Sequence, residues 1–131
     1  MHKTKKTNHI IIWVIIGLAI VGLIALKVYL DSRPGELDQF ARCLGENGAI
    51  FYGAFWCPHC QAQKAMFGRS DKLLPYVECS TPNGQGQLQI CQDKNVESYP
   101  TWEFADGSRL TGEIALSKLA EKTACELYPA S

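Results

Sequence analysis

Apolar and polar positions divide the chain into two unlike parts. From Ile10 to Leu26 the sequence reads IIIWVIIGLAIVGLIAL, without a charge. With Val28, Tyr29 and Leu30 the run reaches the roughly 20 residues that span a bilayer. Lys27 near its end can extend its stem to the interface, and Trp13 and Tyr29 suit the two interfaces. A cleaved signal peptide would have an apolar core of about 7–15 residues followed by a small-x-small site. This run is longer, and Leu26-Lys27-Val28-Tyr29-Leu30 offers no such site. The expected organisation is a cytoplasmic tail (1–9), a transmembrane anchor (10–30), a linker (31–36) and one folded domain (37–131).

Beyond the linker the periodicity changes. Leu37, Phe40, Ala41 and Leu44 recur at helical spacing, with Pro34 expected in the first turn and Gly45 or Gly48 at the end. Ala49 to Phe55 (AIFYGAF) is apolar without alternation, as in a central strand covered on both faces. Cys57-Pro58 opens a helix whose buried stripe is expected at Ala62, Ala65 and Met66, with Gly68 ending it. Tyr76 to Cys79 reads as a short strand, Ser80 to Gly86 as a loop, and Leu88 to Val96 as a short helix. Thr101–Ala105 and Ser108–Thr111 form a hairpin about Asp106-Gly107, a pair in which both residues tolerate positive φ. Leu116, Leu119, Ala120 and Thr123 line one face of a last helix. The order predicts an α/β domain: a mixed central sheet with helices on both faces.

Charge adds little. Lysine plus arginine equal aspartate plus glutamate at 13 each, so no nucleic-acid footprint is expected. The basic cluster Lys3, Lys5 and Lys6 precedes the apolar run, which predicts the N-terminus inside and the domain outside the cytoplasm: periplasm, cell exterior or lumen. Cysteine changes the picture more. Six cysteines in so short a chain suit an exported domain with structural disulfides and a redox site.

The chemistry is expected at Cys57-Pro58-His59-Cys60. A cysteine at a helix N-terminus meets unpaired N–H groups and the positive end of the dipole, which favour a thiolate. A second cysteine one turn on can close a disulfide with it, and the pair can exchange with a substrate through a mixed disulfide. Cys57 is the expected nucleophile and Cys60 the resolving thiol. Pro58 stiffens the turn, and protonated His59 adds positive potential beside Cys57. A stabilised thiolate favours the reduced form and makes the disulfide a better oxidant. The alternative is half of a zinc site. Zinc ribbons carry a second C-x-x-C about 15–20 residues on, whereas Cys79 and Cys91 stand singly. Neither a metal nor a cofactor is expected.

Phe55-Trp56-Cys57-Pro58-His59-Cys60 with Tyr99-Pro100-Thr101 resembles the thioredoxin superfamily. The longer strings Tyr52–Gln61, Leu74–Cys79 and Tyr99–Glu103 resemble the thioredoxin-like domain of vitamin K epoxide reductase homologues, over about Leu37 to Cys125. The resemblance implies a thioredoxin fold. It also implies that Pro100 is a cis-proline facing the cysteines, with Trp56, Tyr99 and Pro100 binding an extended substrate. It implies disulfide exchange with cysteine-containing exported proteins and reoxidation by a quinone-linked, vitamin K epoxide reductase-like membrane partner. With one apolar span in the chain, that partner is expected in trans. One departure stands out. Typical thioredoxins bury an aspartate six residues before the first cysteine, and Phe51 occupies that position. Glu103 or a bridging water is the expected substitute.

Cys79, ending a strand, and Cys91, early in the next helix, should pair across the intervening loop. Closing about a dozen residues is worth about 3 kcal/mol. Cys43 and Cys125 both fall at the opposite end of the sheet, on helices expected to cover different faces, so their pairing stays open. An oxidase or isomerase is the leading expectation. A reductase in the same compartment and a non-catalytic metal- or partner-binding module are the alternatives.

Overall fold

The computed structural model describes residues 3–128. The first two residues of the expected tail and residues 129–131 of the expected domain lie outside the described residues. The chain divides into two units at Arg33/Pro34. The first is helix α1, Lys3–Asp31, which begins inside the expected tail. Its Asn8–Asp31 segment is long and apolar enough to cross a membrane. Apolar side chains from Ile10 to Leu30 are exposed along it, as suits a helix whose solvent is lipid.

The second unit is a four-stranded mixed sheet with helices on both faces, the thioredoxin fold. In chain order its elements are α2 (Asp38–Glu46), β1 (Ile50–Gly53), α3 (Pro58–Ala65), a 3-10 turn (Gly68–Leu73), β2 (Tyr76–Glu78), α4 (Gln89–Asp93), β3 (Thr101–Glu103), β4 (Arg109–Thr111) and α5 (Leu116–Thr123). The strand order is β2-β1-β3-β4, with β1 parallel to β2 and antiparallel to β3. β1 is therefore central, as its unbroken apolar run requires.

Successive residues of β1 point to opposite faces. Phe51 points into the larger core, with Phe40, Leu44, Phe67, Trp102 and Leu119. It stacks on Trp102 at 4.7 Å between ring centroids, a geometry worth about 0.5–1.5 kcal/mol beyond area burial. Tyr52 points the other way, to Cys79, Cys91 and Val96 under α4.

Four local expectations are corrected. α2 begins at Asp38, and Pro34 precedes it by more than a turn's first residue; the Leu37 N–H is held by Ser70 Oγ at 3.0 Å. The buried stripe of α3 is Cys60, Gln63 and then Phe67, while Ala65 and Met66 are exposed and Ala62 is half-buried. Gln63 is fully buried because its amide pairs both ways with the Ile114 backbone, at 2.6 and 3.1 Å. The hairpin is a three-residue loop. The Gly107 N–H reaches the Phe104 carbonyl and the Phe104 N–H the Ser108 carbonyl, so only Gly107 needs positive φ (79°). Lastly, α2 and α5 pack against each other on one face.

That last contact brings Cys43 and Cys125 together as a disulfide, with Cα atoms 5.9 Å apart. Ala124 turns the chain in the left-handed region (φ 56°), and Asn47 Nδ2 donates to the Thr123 carbonyl at 2.7 Å beside the bond. Cys79 and Cys91 form the second disulfide, across the Ser80–Gln87 loop.

Candidate active site

β1 delivers the chain to the sheet's C-terminal edge, and the turn after it places Cys57 at the N-cap of α3. Cys57 is extended (φ −79°, ψ 118°), and its Sγ accepts from the Cys60 N–H at 3.4 Å. Pro58 takes the first helical position, where no N–H is required. Cys57 is 5% exposed and Cys60 fully buried, and both are free thiols.

Burial pushes the Cys60 thiol up to about 12. A backbone hydrogen bond at Ala54 opposes that shift, the neighbouring Cys57 sulfur adds to it, and the Lys64 charge opposes it. Cys60 therefore holds its proton at neutral pH, and any attack by its sulfur needs a group to take that proton.

The facing wall comes from the segment before β3. The Tyr99–Pro100 bond is cis, Pro100 is buried, and the Tyr99 carbonyl lies 3.7 Å from Cys57 Sγ. Trp56 lies half-exposed on the rim. Its Nε1 donates to Ser80 Oγ at 2.8 Å, and its ring meets Tyr99 edge-on at 6.2 Å. Tyr99 is held in turn by Gln87, whose Nε2 donates to its hydroxyl at 2.7 Å. His59 is exposed and donates through Nδ1 to Glu113 Oε1 at 2.7 Å. Trp56, Cys57 and Tyr99 thus lie together, with Pro100 buried behind the cis bond and His59 next to the cysteines on α3.

Glu103 is not part of this site. It pairs with Ile50 at the start of β1, away from the cysteines that follow the strand's end. Its carboxylate is bound by Arg109 Nε at 2.7 Å and Nη2, with Lys94 at 4.0 Å. A different acid, with no role expected from the sequence, lies beside the turn that leads to the cysteines. Glu78, at the end of β2, accepts from the Tyr76 hydroxyl at 2.8 Å and from the Phe55 and Ser80 N–H groups at 3.2 and 2.9 Å. The period-2 spacing of Tyr76 and Glu78 was the available signal, since it puts both on one face of β2.

Gly53 makes room for this arrangement. A Cβ there would stand 2.7 Å from Tyr76 Cε2 and 3.0 Å from Cys60 Sγ. Only glycine lets the strand pass so close to both.

No family model matches the chain. It is 47% identical over 110 residues to the thiol-disulfide oxidoreductase LTO1 of Arabidopsis thaliana, covering 80% of this chain and 28% of that protein. It is 31% identical over 96 residues to a thioredoxin domain-containing protein 5 homolog of Drosophila melanogaster, covering 65% of this chain and 22% of that protein. The chain thus spans about a quarter of the length of these relatives. Fold, site and similarity agree: the chain carries a thioredoxin-superfamily domain and over that domain is a relative of a thiol–disulfide oxidoreductase.

Proposed function

We propose that this protein is a membrane-anchored thiol–disulfide oxidoreductase acting on exported, cysteine-containing proteins. In this reading the N-terminus is cytoplasmic and the catalytic domain extracytoplasmic. Cys57 attacks or is attacked by substrate sulfur, and Cys60 resolves the mixed disulfide. The observation that carries the reading is the division of the six cysteines. Four are locked in Cys43–Cys125 and Cys79–Cys91, and the two left free lie at the start of α3, with Cys57 Sγ 3.7 Å from the carbonyl of Tyr99 in the cis Tyr99–Pro100 unit. Structural disulfides suit an oxidising compartment, and the lysines before the apolar helix favour the matching topology.

The Tyr99 carbonyl beside Cys57 offers an acceptor to an extended substrate backbone, and the exposed faces of Trp56 and Phe55 offer apolar contact. Net oxidation requires an electron acceptor for the reduced pair. A quinone-linked membrane reductase of the vitamin K epoxide reductase type fits the resemblance and the apolar helix.

Trapping tests the reading. A Cys60→Ala variant should accumulate mixed disulfides with envelope proteins through Cys57, and Cys57→Ala should accumulate few. Equal trapping by both variants would remove the assigned roles. A potential near about −120 mV supports the oxidase, whereas one near about −270 mV would turn the reading to a reductase.

A further inference from the structure

The resolving step needs a base, and the usual buried aspartate is replaced by Phe51, packed between Trp102 and Tyr76. Glu103 is tied up at the other end of the sheet. A different polar pair borders Cys60. A methyl built on Gly53 would sit 3.0 Å from Cys60 Sγ and 3.3 Å from the Tyr76 hydroxyl, so the two polar groups line the same gap over the glycine. The Tyr76 hydroxyl already donates to Glu78 Oε2 at 2.8 Å. Glu78 Oε1 is fixed by two backbone N–H groups, which leaves Oε2 aimed at the phenol.

We propose that Tyr76 and Glu78 form the proton relay of the resolving cysteine. The Cys60 proton crosses the gap over Gly53 to the Tyr76 hydroxyl, whose own proton passes to the Glu78 carboxylate. The proposal rests on the roles assigned above to Cys57 and Cys60. When substrate is being reduced, Cys57 is joined to the substrate sulfur. Cys60 loses its proton to the relay and its sulfur attacks Cys57 Sγ. The Cys57–Cys60 bond forms, the Cys57–substrate bond breaks, and the substrate leaves as thiolate with the electron pair. In the oxidising direction a substrate thiolate attacks Cys57 of the closed disulfide. The Cys57–Cys60 bond breaks, and Cys60 leaves as thiolate and takes a proton from Tyr76, which is reprotonated through Glu78 after the carboxylate takes a proton from solvent.

Charged and reactive groups border this path. Lys64 of α3 stands over the Tyr76 ring at 3.4 Å, where its charge favours transient negative charge on Cys60 or the phenol. Cys57 borders Cys60 from the N-cap. Phe51, apolar and fully buried, meets the Tyr76 ring edge-on at 5.2 Å, and the Ala54 backbone hydrogen-bonds at Cys60. Glu78 is held by three hydrogen bonds, which fixes the geometry of the relay's outer end.

The test uses the full-length reduced protein in detergent, mixed in a stopped-flow instrument with a symmetrical aromatic disulfide. One aryl thiolate is released when Cys57 is loaded and a second when Cys60 resolves. In Tyr76→Phe and Glu78→Gln the second phase should fall roughly a hundredfold at about pH 6, the lower end for a positioned proton-transfer group. It should then climb with hydroxide and approach wild type by about pH 9, while the loading phase stays within about twofold. Unchanged resolution in both variants would overturn the relay. So would a loss of equal size at every pH, or a matching loss in loading, since each is what a structural role produces. Absence of a second phase in the wild type would instead refute the role of Cys60 itself.

Discussion

Removing the Cys43–Cys125 bond tests how the domain is held together at the end away from its chemistry. The bond closes a loop with a sequence separation of 82. In the chain-entropy account, a cross-link of that span removes about 15 cal/mol/K from the unfolded chain, or about 4.5 kcal/mol at 25 °C. A domain of this size has only about 5–15 kcal/mol in total. The double variant Cys43→Ala/Cys125→Ala should therefore fold, but close to its threshold. Guanidinium unfolding of the full chain in detergent, with Cys57–Cys60 oxidised throughout, would measure this. Trp102 is the reporter, being buried and stacked on Phe51. With a slope of about 3 kcal/mol/M, the midpoint should fall by roughly 1.5 M, and the slope should rise as the unfolded chain, freed of its cross-link, exposes more surface. While the protein is folded, disulfide exchange should stay within about twofold of wild type, because the bond acts mainly on the unfolded chain. A midpoint shift under about 0.5 M would show that the α2–α5 contact and the Asn47–Thr123 hydrogen bond hold this end without the cross-link, and would refute the reasoning.

Gly53→Ala should cost about 1–3 kcal/mol by overpacking, since its Cβ would approach Tyr76 Cε2 to 2.7 Å; denaturant titration showing no loss would contradict the packing described. In a Cys57→Ala variant, alkylation of Cys60 should rise with pH and reach no plateau below about 11, because burial raises its thiol to about 12. The same upward shift fixes a sign: the unfolded chain ionises Cys60 first, so the reduced protein should lose stability as pH climbs from about 9 to about 12, and a gain there would contradict it. His59→Ala should make the Cys57–Cys60 disulfide less oxidising, and Glu113→Gln, which removes the negative charge paired with His59, should make it more oxidising, each by about 10–20 mV in a glutathione titration. Shifts of the same sign in both variants would remove the tuning role of the pair.

The sequence located the elements of this domain because periodicity and punctuation agree along most of it. The apolar run at β1 marked the central strand, and Cys57-Pro58 marked a helix start where Pro58 wastes no donor. What was hidden depends on partners far along the chain. Gln63 is polar and was left out of the buried stripe of α3, yet the Ile114 backbone 51 residues later satisfies its amide. The faces covered by α2 and α5 were misjudged because helix periodicity gives each stripe and not the layer it packs in. Glu103 is the acid expected to stand in for the aspartate that Phe51 replaces. The antiparallel register with Ile50 carries it to the opposite end. Glu78 was legible only as part of a string. Its bonds to Phe55 and Ser80 arise from β1 and β2 running parallel, which exposes both strand ends at the same edge.

The sheet's outer strands, β2 and β4, are each three residues long. A strand that short offers a visiting chain little more than one repeat of backbone pairing. In the function proposed above, an extended polypeptide substrate would bring the hazard of templated aggregation. Here the rims of the sheet are too brief to hold such a visitor. Under the same proposal, the Tyr99 carbonyl, 3.7 Å from Cys57 Sγ, would be the place where such a chain pauses.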